Sequence, residues 1–241
     1  MDRPQVQLLV TCLVDALSPQ VGRAALAALE SAGCQVSYPE DQTCCGQPAF
    51  NVGLTDDARE MAAHTLEVFG HSDGPIVVPS GSCAAMIVHQ YPALFAGTEH
   101  EERARQVASR TRELTQFLVD DLGTDLAARC DGCAVAYHHS CHGLRGLGLR
   151  GQADRLLREV QRVPLEGAEE CCGFGGLFSV EMAPVSAAIM DEKLDRLEAS
   201  GADTLVGSDV SCLMHLEGGL RRRGSEIQVR HIAELLGPPQ P

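Results

Sequence analysis

Cys44-Cys45-Gly46-Gln47-Pro48 and Cys171-Cys172-Gly173-Phe174-Gly175-Gly176 are two versions of one word in a chain of 241 residues. Outward from the first, Cys12 stands 32 residues before Cys44 and Cys83 stands 38 after Cys45. Outward from the second, Cys141 precedes Cys171 by 30 residues and Cys212 follows Cys172 by 40. The flanks agree as well: Val10-Thr11-Cys12 matches His139-Ser140-Cys141, and Ser80-Gly81-Ser82-Cys83 matches Asp209-Val210-Ser211-Cys212. The halves close on Leu114-Thr115-Gln116-Phe117-Leu118 and Ile232-Ala233-Glu234-Leu235-Leu236. Eight of the 11 cysteines therefore belong to one duplicated unit, and self-similarity of this kind governs the fold.

Around these words, short β-branched runs alternate with amphipathic stretches. In the first half the pattern predicts strands at 6–10, 35–38 and 76–78. It predicts helices at 21–32, at 55–69 with Thr55 as N-cap, near Cys83, and over a long stretch at 101–121. In the second half strands are predicted at 135–137, 162–165, 204–206 and 227–230, and helices at 153–160, 185–200 and 213–222. Such alternation argues for an α/β fold of two duplicated βα units, pseudo-twofold related, with parallel sheets covered by helices. The repeats are expected at 1–122 and 134–241, joined by a linker at 123–133, with a disordered tail at 237–241. Each of the eight cysteines follows a predicted strand by a few residues. The cysteine sites are thus expected at the carboxyl ends of the strands, where open α/β sheets place their sites.

Composition narrows the function. The net charge of −14 repels a nucleic-acid backbone or an anionic membrane surface, and no apolar run is long enough for a membrane span. The first ten residues lack the basic and long apolar regions of a signal peptide, so a cytoplasmic location is expected. Thiols stay reduced there, which favours metal or redox roles over a disulfide framework. Four converging thiolates per half suit either tetrahedral zinc or an iron–sulfur cluster. Adjacent cysteines point apart on a regular strand, so Gly46 and Gly173 are expected to supply a sharp turn. Vicinal ligands then reach a cluster several ångströms across more comfortably than a single zinc ion.

The Cys…Cys-Cys-Gly…Cys unit, present twice, resembles the cysteine-rich CCG domain. That domain occurs in the cysteine-rich component of heterodisulfide reductase, the glycolate oxidase iron–sulfur subunit and the lactate utilization A proteins. The glycolate oxidase subunit carries an additional ferredoxin-like region that this sequence lacks, so the resemblance is strongest to the lactate utilization group. It implies an iron–sulfur, electron-transferring subunit of a cytoplasmic complex that oxidises L-lactate to pyruvate. Its partners would be other lactate-utilization iron–sulfur proteins, with the small-molecule substrate handled through the complex. It implies cluster binding by Cys12, Cys44, Cys45, Cys83, Cys141, Cys171, Cys172 and Cys212, with one cluster per half at most. There is one departure: the heterodisulfide reductase component closes each unit with Cys-x-x-Cys, whereas Ser80 and Asp209 stand at the first of those positions here. Two other readings remain open: a zinc-stabilised, non-redox assembly subunit, and cluster-based thiol–disulfide catalysis.

Several residues lie outside the repeat. Cys130-Asp131-Gly132-Cys133 has metal or redox spacing but falls in the expected linker, where incidental thiols are the simpler reading. Cys34 reads as a core thiol. His138, His139 and His142 crowd Cys141, and His215 lies one helical turn after Cys212. Any of them could ligate metal, although hydrogen-bonded or exposed histidines are the simpler expectation, and the first half has Leu13 where the second has His142. Gly146-Leu147-Gly148-Leu149-Arg150-Gly151 matches a dinucleotide fingerprint, but Cys141 and its histidines intervene between strand and glycines, so the match is read as coincidental. Arg221-Arg222-Arg223 reads as the basic last turn of a helix.

Overall fold

The computed structural model of the chain describes residues 3–236. The expected tail at 237–241 lies outside the described residues. The first half builds strands β1 (Gln5–Leu8), β2 (Gln35–Ser37), β3 (Ile76–Val78) and β4 (Thr111–Glu113), and the second builds β5 (Ala134–His138), β6 (Gln161–Arg162), β7 (Thr204–Gly207) and β8 (Gln228–His231). Each set forms a parallel four-stranded sheet, in the orders β2-β1-β3-β4 and β6-β5-β7-β8. The order is therefore the same in both halves, as duplication requires. The registers place Gln7 beside Ile76 and Val135 beside Thr204. Parallel pairing needs crossovers, and these are the helices.

Two expectations are corrected in the first half. The long helix at 101–121 is in fact a helix Glu101–Arg110, the strand β4, a short helix Leu114–Gln116 and a π turn Phe117–Asp121. The chain breaks at Thr111, which turns extended (φ −79°, ψ 132°), because Thr111–Glu113 pair with Ile76–Val78 to complete the sheet. Ladder hydrogen bonds and burial outweigh the helical pattern of the flanks. The words that close the halves thus turn out to be equivalent, since both directly follow the last strand. The helix Thr55–Phe69 has the expected bounds, but Leu54 occupies its N-cap and no side chain caps it. Elsewhere the elements match within a few residues; the helix carrying Cys212 starts earlier than expected, at Val210.

The largest core cluster belongs to both halves. Val6, Leu8 and Val77 of the first sheet join Val135, Tyr137 and Val206 of the second, with Ala24, Ala28 and Leu29 from the helix Pro19–Ser31 and Ile232 and Leu235 after β8. Small residues of that helix, Ala24, Ala25 and Ala28, fill the space between the sheets. Residues 122–133 run along this core and bury Ala128. Each half also has its own second cluster on the far side of its sheet. One contains Cys45 and Cys83 with Leu66, Phe69 and Tyr91; the other contains Cys172 and Cys212 with Leu194, Leu197 and Leu216. No helix among the described residues is long and apolar enough to cross a membrane.

Candidate metal centres

The structure brings the four cysteines of each half together at the carboxyl ends of its strands. In the first half the Cys12 and Cys44 sulfurs are 3.6 Å apart, and Cys45 lies close to both Cys44 and Cys83. In the second half the same sequence of contacts runs Cys141–Cys171–Cys172–Cys212. Each half thus holds a row of four sulfurs; the first two in each row are partly open, Cys171 most of all, and the last two are buried. The vicinal cysteines are free thiols, not disulfides.

Local geometry explains the turn between vicinal sulfurs. Gly46 and Gly173 adopt φ +83° and +92°, conformations that side chains disfavour. Each is also pressed against a helix: a Cβ at Gly46 would lie 2.9 Å from the Ala58 carbonyl oxygen, and one at Gly173 would lie 2.6 Å from that of Ser186. The last cysteine of each set sits in the first turn of a helix. Ser80 caps the turn Gly81–Ala85 by accepting from the Cys83 N–H, and Asp209 caps the helix Val210–Arg223 by accepting from the Ser211 N–H.

Ser80 and Asp209, the departures from a closing Cys-x-x-Cys, meet each other. Asp209 Oδ2 accepts from the Ser82 N–H at 2.7 Å and from the Ser80 hydroxyl at 3.2 Å. The two residues therefore tie the cysteine-bearing helix ends of the halves together across a buried interface. Gly81 is required there, because a Cβ would lie 2.9 Å from Ser140 Oγ and 3.0 Å from the Gly143 nitrogen. A second link joins the centres: His142 lies 3.6 Å (Nδ1) from Cys141 Sγ and 3.4 Å (Nε2) from the Gln47 amide, whose nitrogen donates to the Ser82 carbonyl.

The thiols are electrostatically unequal. Cys44 is held far below the usual thiol range by hydrogen bonds from Cys12 and then Cys45, with help from the Gly46 N–H. Cys171 is lowered in the same way by Cys141 and Cys172, and the Gly173 N–H donates to its sulfur at 3.3 Å. Cys12, Cys45, Cys141 and Cys172 are raised, first by those same bonds to a neighbouring thiolate and then by burial. Metal binding would displace the remaining protons. The donor set fits a thiophilic metal or an iron–sulfur cluster: four soft sulfurs on rigid turns, two of them buried in apolar walls.

Of the accessory residues, His215 flanks the Gly173 turn, 3.4 Å from Ser186 Oγ and stacked obliquely on Phe174. Cys130 and Cys133 are not separate thiols but are joined to each other, since the turn through Gly132 (φ +74°) brings their Cα atoms to 5.5 Å. Cys34 is buried in the core as expected. In the glycine run, Gly146 ends a π turn and a five-residue helix begins only at Gln152, so no fingerprint follows a strand directly. Arg223 is held by Asp191, Asp195 and Glu198, and Arg221 by Glu217. Sequence reasoning gave His138 no preference over its neighbouring histidines, yet its ring lies with Cys172 and Cys212, their ligand atoms all within 4.8 Å of one another. The signal that could have singled it out was Leu9, which stands three residues before Cys12 as His138 stands before Cys141.

A family model described as a cysteine-rich domain, CCG, matches residues 6–88 and again 135–217. The lactate utilization protein A of Anoxybacillus flavithermus (strain DSM 21510 / WK1) is 48% identical over 236 residues, covering 96% of this chain and 98% of the relative. This chain belongs to the CCG cysteine-rich family and, within it, to the lactate utilization protein A group. Another member, from Geobacillus sp. (strain WCH70), is 46% identical over 237 residues, with 96% and 98% of the two chains covered. The CCG matches span β1 to just beyond Cys83 and β5 to just beyond Cys212, so each takes in one complete cysteine set. A solved structure, of a hypothetical protein from Helicobacter pylori, superposes on the whole chain with a TM-score of 0.70 at 12% identity. The chain spans half of that protein's length, and the likeness is one of fold.

Proposed function

We propose that the chain is an iron–sulfur electron-transfer subunit of a cytoplasmic complex oxidising L-lactate to pyruvate. The observation that carries this reading is the duplicated row of four sulfurs, each set half-buried at the edge of a parallel sheet. The lactate utilization proteins that match over nearly the full length support the substrate. With it goes a division of the chain: residues 1–122 and 134–241 each hold one centre, at Cys12, Cys44, Cys45 and Cys83 and at Cys141, Cys171, Cys172 and Cys212, and residues 123–133 join them.

Converting the lactate hydroxyl to a ketone releases two electrons and two protons. A bound cluster supplies reversible one-electron transfer. The residues of this chain would hold and shield it: the glycine turns aim the vicinal sulfurs, Leu66, Phe69 and Leu194 keep water from the inner ones, and the more open Cys12, Cys44, Cys141 and Cys171 form the accessible face of each set. Other lactate-utilization proteins are the partners that deliver them. The close grouping of His138, Cys172 and Cys212 favours a second reading, in which the second half holds zinc and serves assembly.

Anaerobic purification or reconstitution followed by iron, sulfide and zinc analysis and EPR tests the proposal. The expected result is brown protein with sulfide, and its loss from one half upon Cys45→Ser or Cys172→Ser. Stoichiometric zinc without sulfide overturns it.

A further inference from the structure

The two cysteine sets have unequal surroundings. The helices that press on the two glycine turns bury the same positions: Ala58, Ala62, Thr65, Leu66 and Phe69 in Thr55–Phe69, and Ser186, Met190, Lys193, Leu194 and Leu197 in Ala183–Ala199. Spacing and burial coincide, so Lys193 occupies the place of Thr65. At the end of the first strand of each half, Leu9 in one and His138 in the other stand three residues before the first cysteine. The first half thus has Leu9 and Thr65 where the second has His138 and Lys193.

His138 is 1% exposed, and neither ring nitrogen has a hydrogen-bond partner among the described residues. The Ala168 carbonyl is close enough to favour a ring proton without forming a well-aligned bond. Burying an imidazole without a partner is costly, a cost that leucine at the same place would not incur. A metal ion among the sulfurs gives the ring a partner. Lys193 is buried and anchored by donating to the Gly167 carbonyl at 2.6 Å.

We infer that His138 is a nitrogen ligand of the second centre, which is therefore a mixed cysteine–histidine site, whereas the first centre is held by sulfur alone. The inference rests on the reading that the second cysteine set binds metal, but not on whether that metal is a cluster or a single ion.

Cobalt(II) is the probe, because its visible bands and hyperfine couplings report sulfur and nitrogen ligands separately. It is titrated into the full-length reduced chain carrying Cys12→Ser and Cys44→Ser, which leaves only the second set intact, with histidine labelled by 15N. The expected result is thiolate-to-metal bands together with a histidine nitrogen coupling. His138→Leu, the residue of the first half, should remove that coupling and weaken cobalt binding at least tenfold. His142→Ala with His215→Ala should retain it, which keeps the test decisive even if His138→Leu fails to fold. Absence of any histidine coupling, or its persistence in His138→Leu, overturns the inference. Failure of the iron–sulfur reading would show instead as missing sulfide in the native protein, with the cobalt result unchanged.

Discussion

Replacing Gly173 by alanine tests whether the vicinal turn is clamped by the fold. Gly173 has φ +92°, and a Cβ there would meet the Ser186 carbonyl oxygen at 2.6 Å and the Met190 nitrogen at 3.3 Å. The left-handed backbone costs a non-glycine residue about 1–2 kcal/mol. The contacts are with helix backbone, which cannot swing aside as a side chain can, and overpacking of this kind adds about 1–3 kcal/mol. The expected loss is therefore about 2–5 kcal/mol, a substantial share of the ~5–15 kcal/mol that holds a domain together. Gly33 is the control, because it has φ +87° but nothing within 4 Å of where the added methyl would lie, so Gly33→Ala should lose only the backbone contribution. Gly46→Ala, whose Cβ would lie 2.9 Å from the Ala58 oxygen, should fall between the two. Urea unfolding of the reduced, metal-free protein measures all three, and metal uptake shows whether the second centre is lost selectively in Gly173→Ala. Equal destabilisation by Gly173→Ala and Gly33→Ala would refute the clamp, leaving backbone conformation as the only requirement on the turn.

Three further outcomes follow from buried polar groups. Glu113 is fully buried with one carboxylate oxygen unpartnered, and burial raises it from 4.5 to about 7. Its stabilising balance is intact below pH 4.5 and is lost as pH rises through about 7, by about 3 kcal/mol at most, so Glu113→Gln should flatten stability over that range in urea titrations at several pH values. His231 has the opposite slope: burial lowers it from 6.5 to about 4, so its contribution is complete above 6.5 and disappears as pH falls through about 4, a dependence that His231→Asn should reduce. Asp209→Ala leaves the buried Ser82 N–H and Ser80 hydroxyl without their shared acceptor and should cost about 2–4 kcal/mol by thermal or urea unfolding, while Asp209→Asn, which keeps an acceptor, should cost less.

The β4 strand shows where local reading fails. Thr111-Arg112-Glu113 carries two charged residues between helical stretches, and nothing local marks it as a strand; only the open edge of β3 makes it one. Its counterpart β8 was legible because Val229 and the neighbouring Ile227 give it an apolar pattern of its own. Lys193 hid the equivalence of the two turn-clamping helices in the same way, by placing a charge where the first half has Thr65. The Cys130–Cys133 link was likewise beyond a spacing argument, since whether the two sulfurs meet depends on the turn through Gly132.

The sequence alone determined the duplication, the α/β class and the eight cysteines, because repeated spacing and glycine turns are properties of the chain read along its length. Tertiary structure decided what surrounds each set. Contacts between residues distant in sequence made Ser80 and Asp209 partners across the interface and placed Gln47 beside His142. They also set His138 among Cys172 and Cys212, where the first half has leucine. Burial and charge around a site come from the packing of separate elements in three dimensions, which is why two nearly identical words in the sequence lead to two unequal sites.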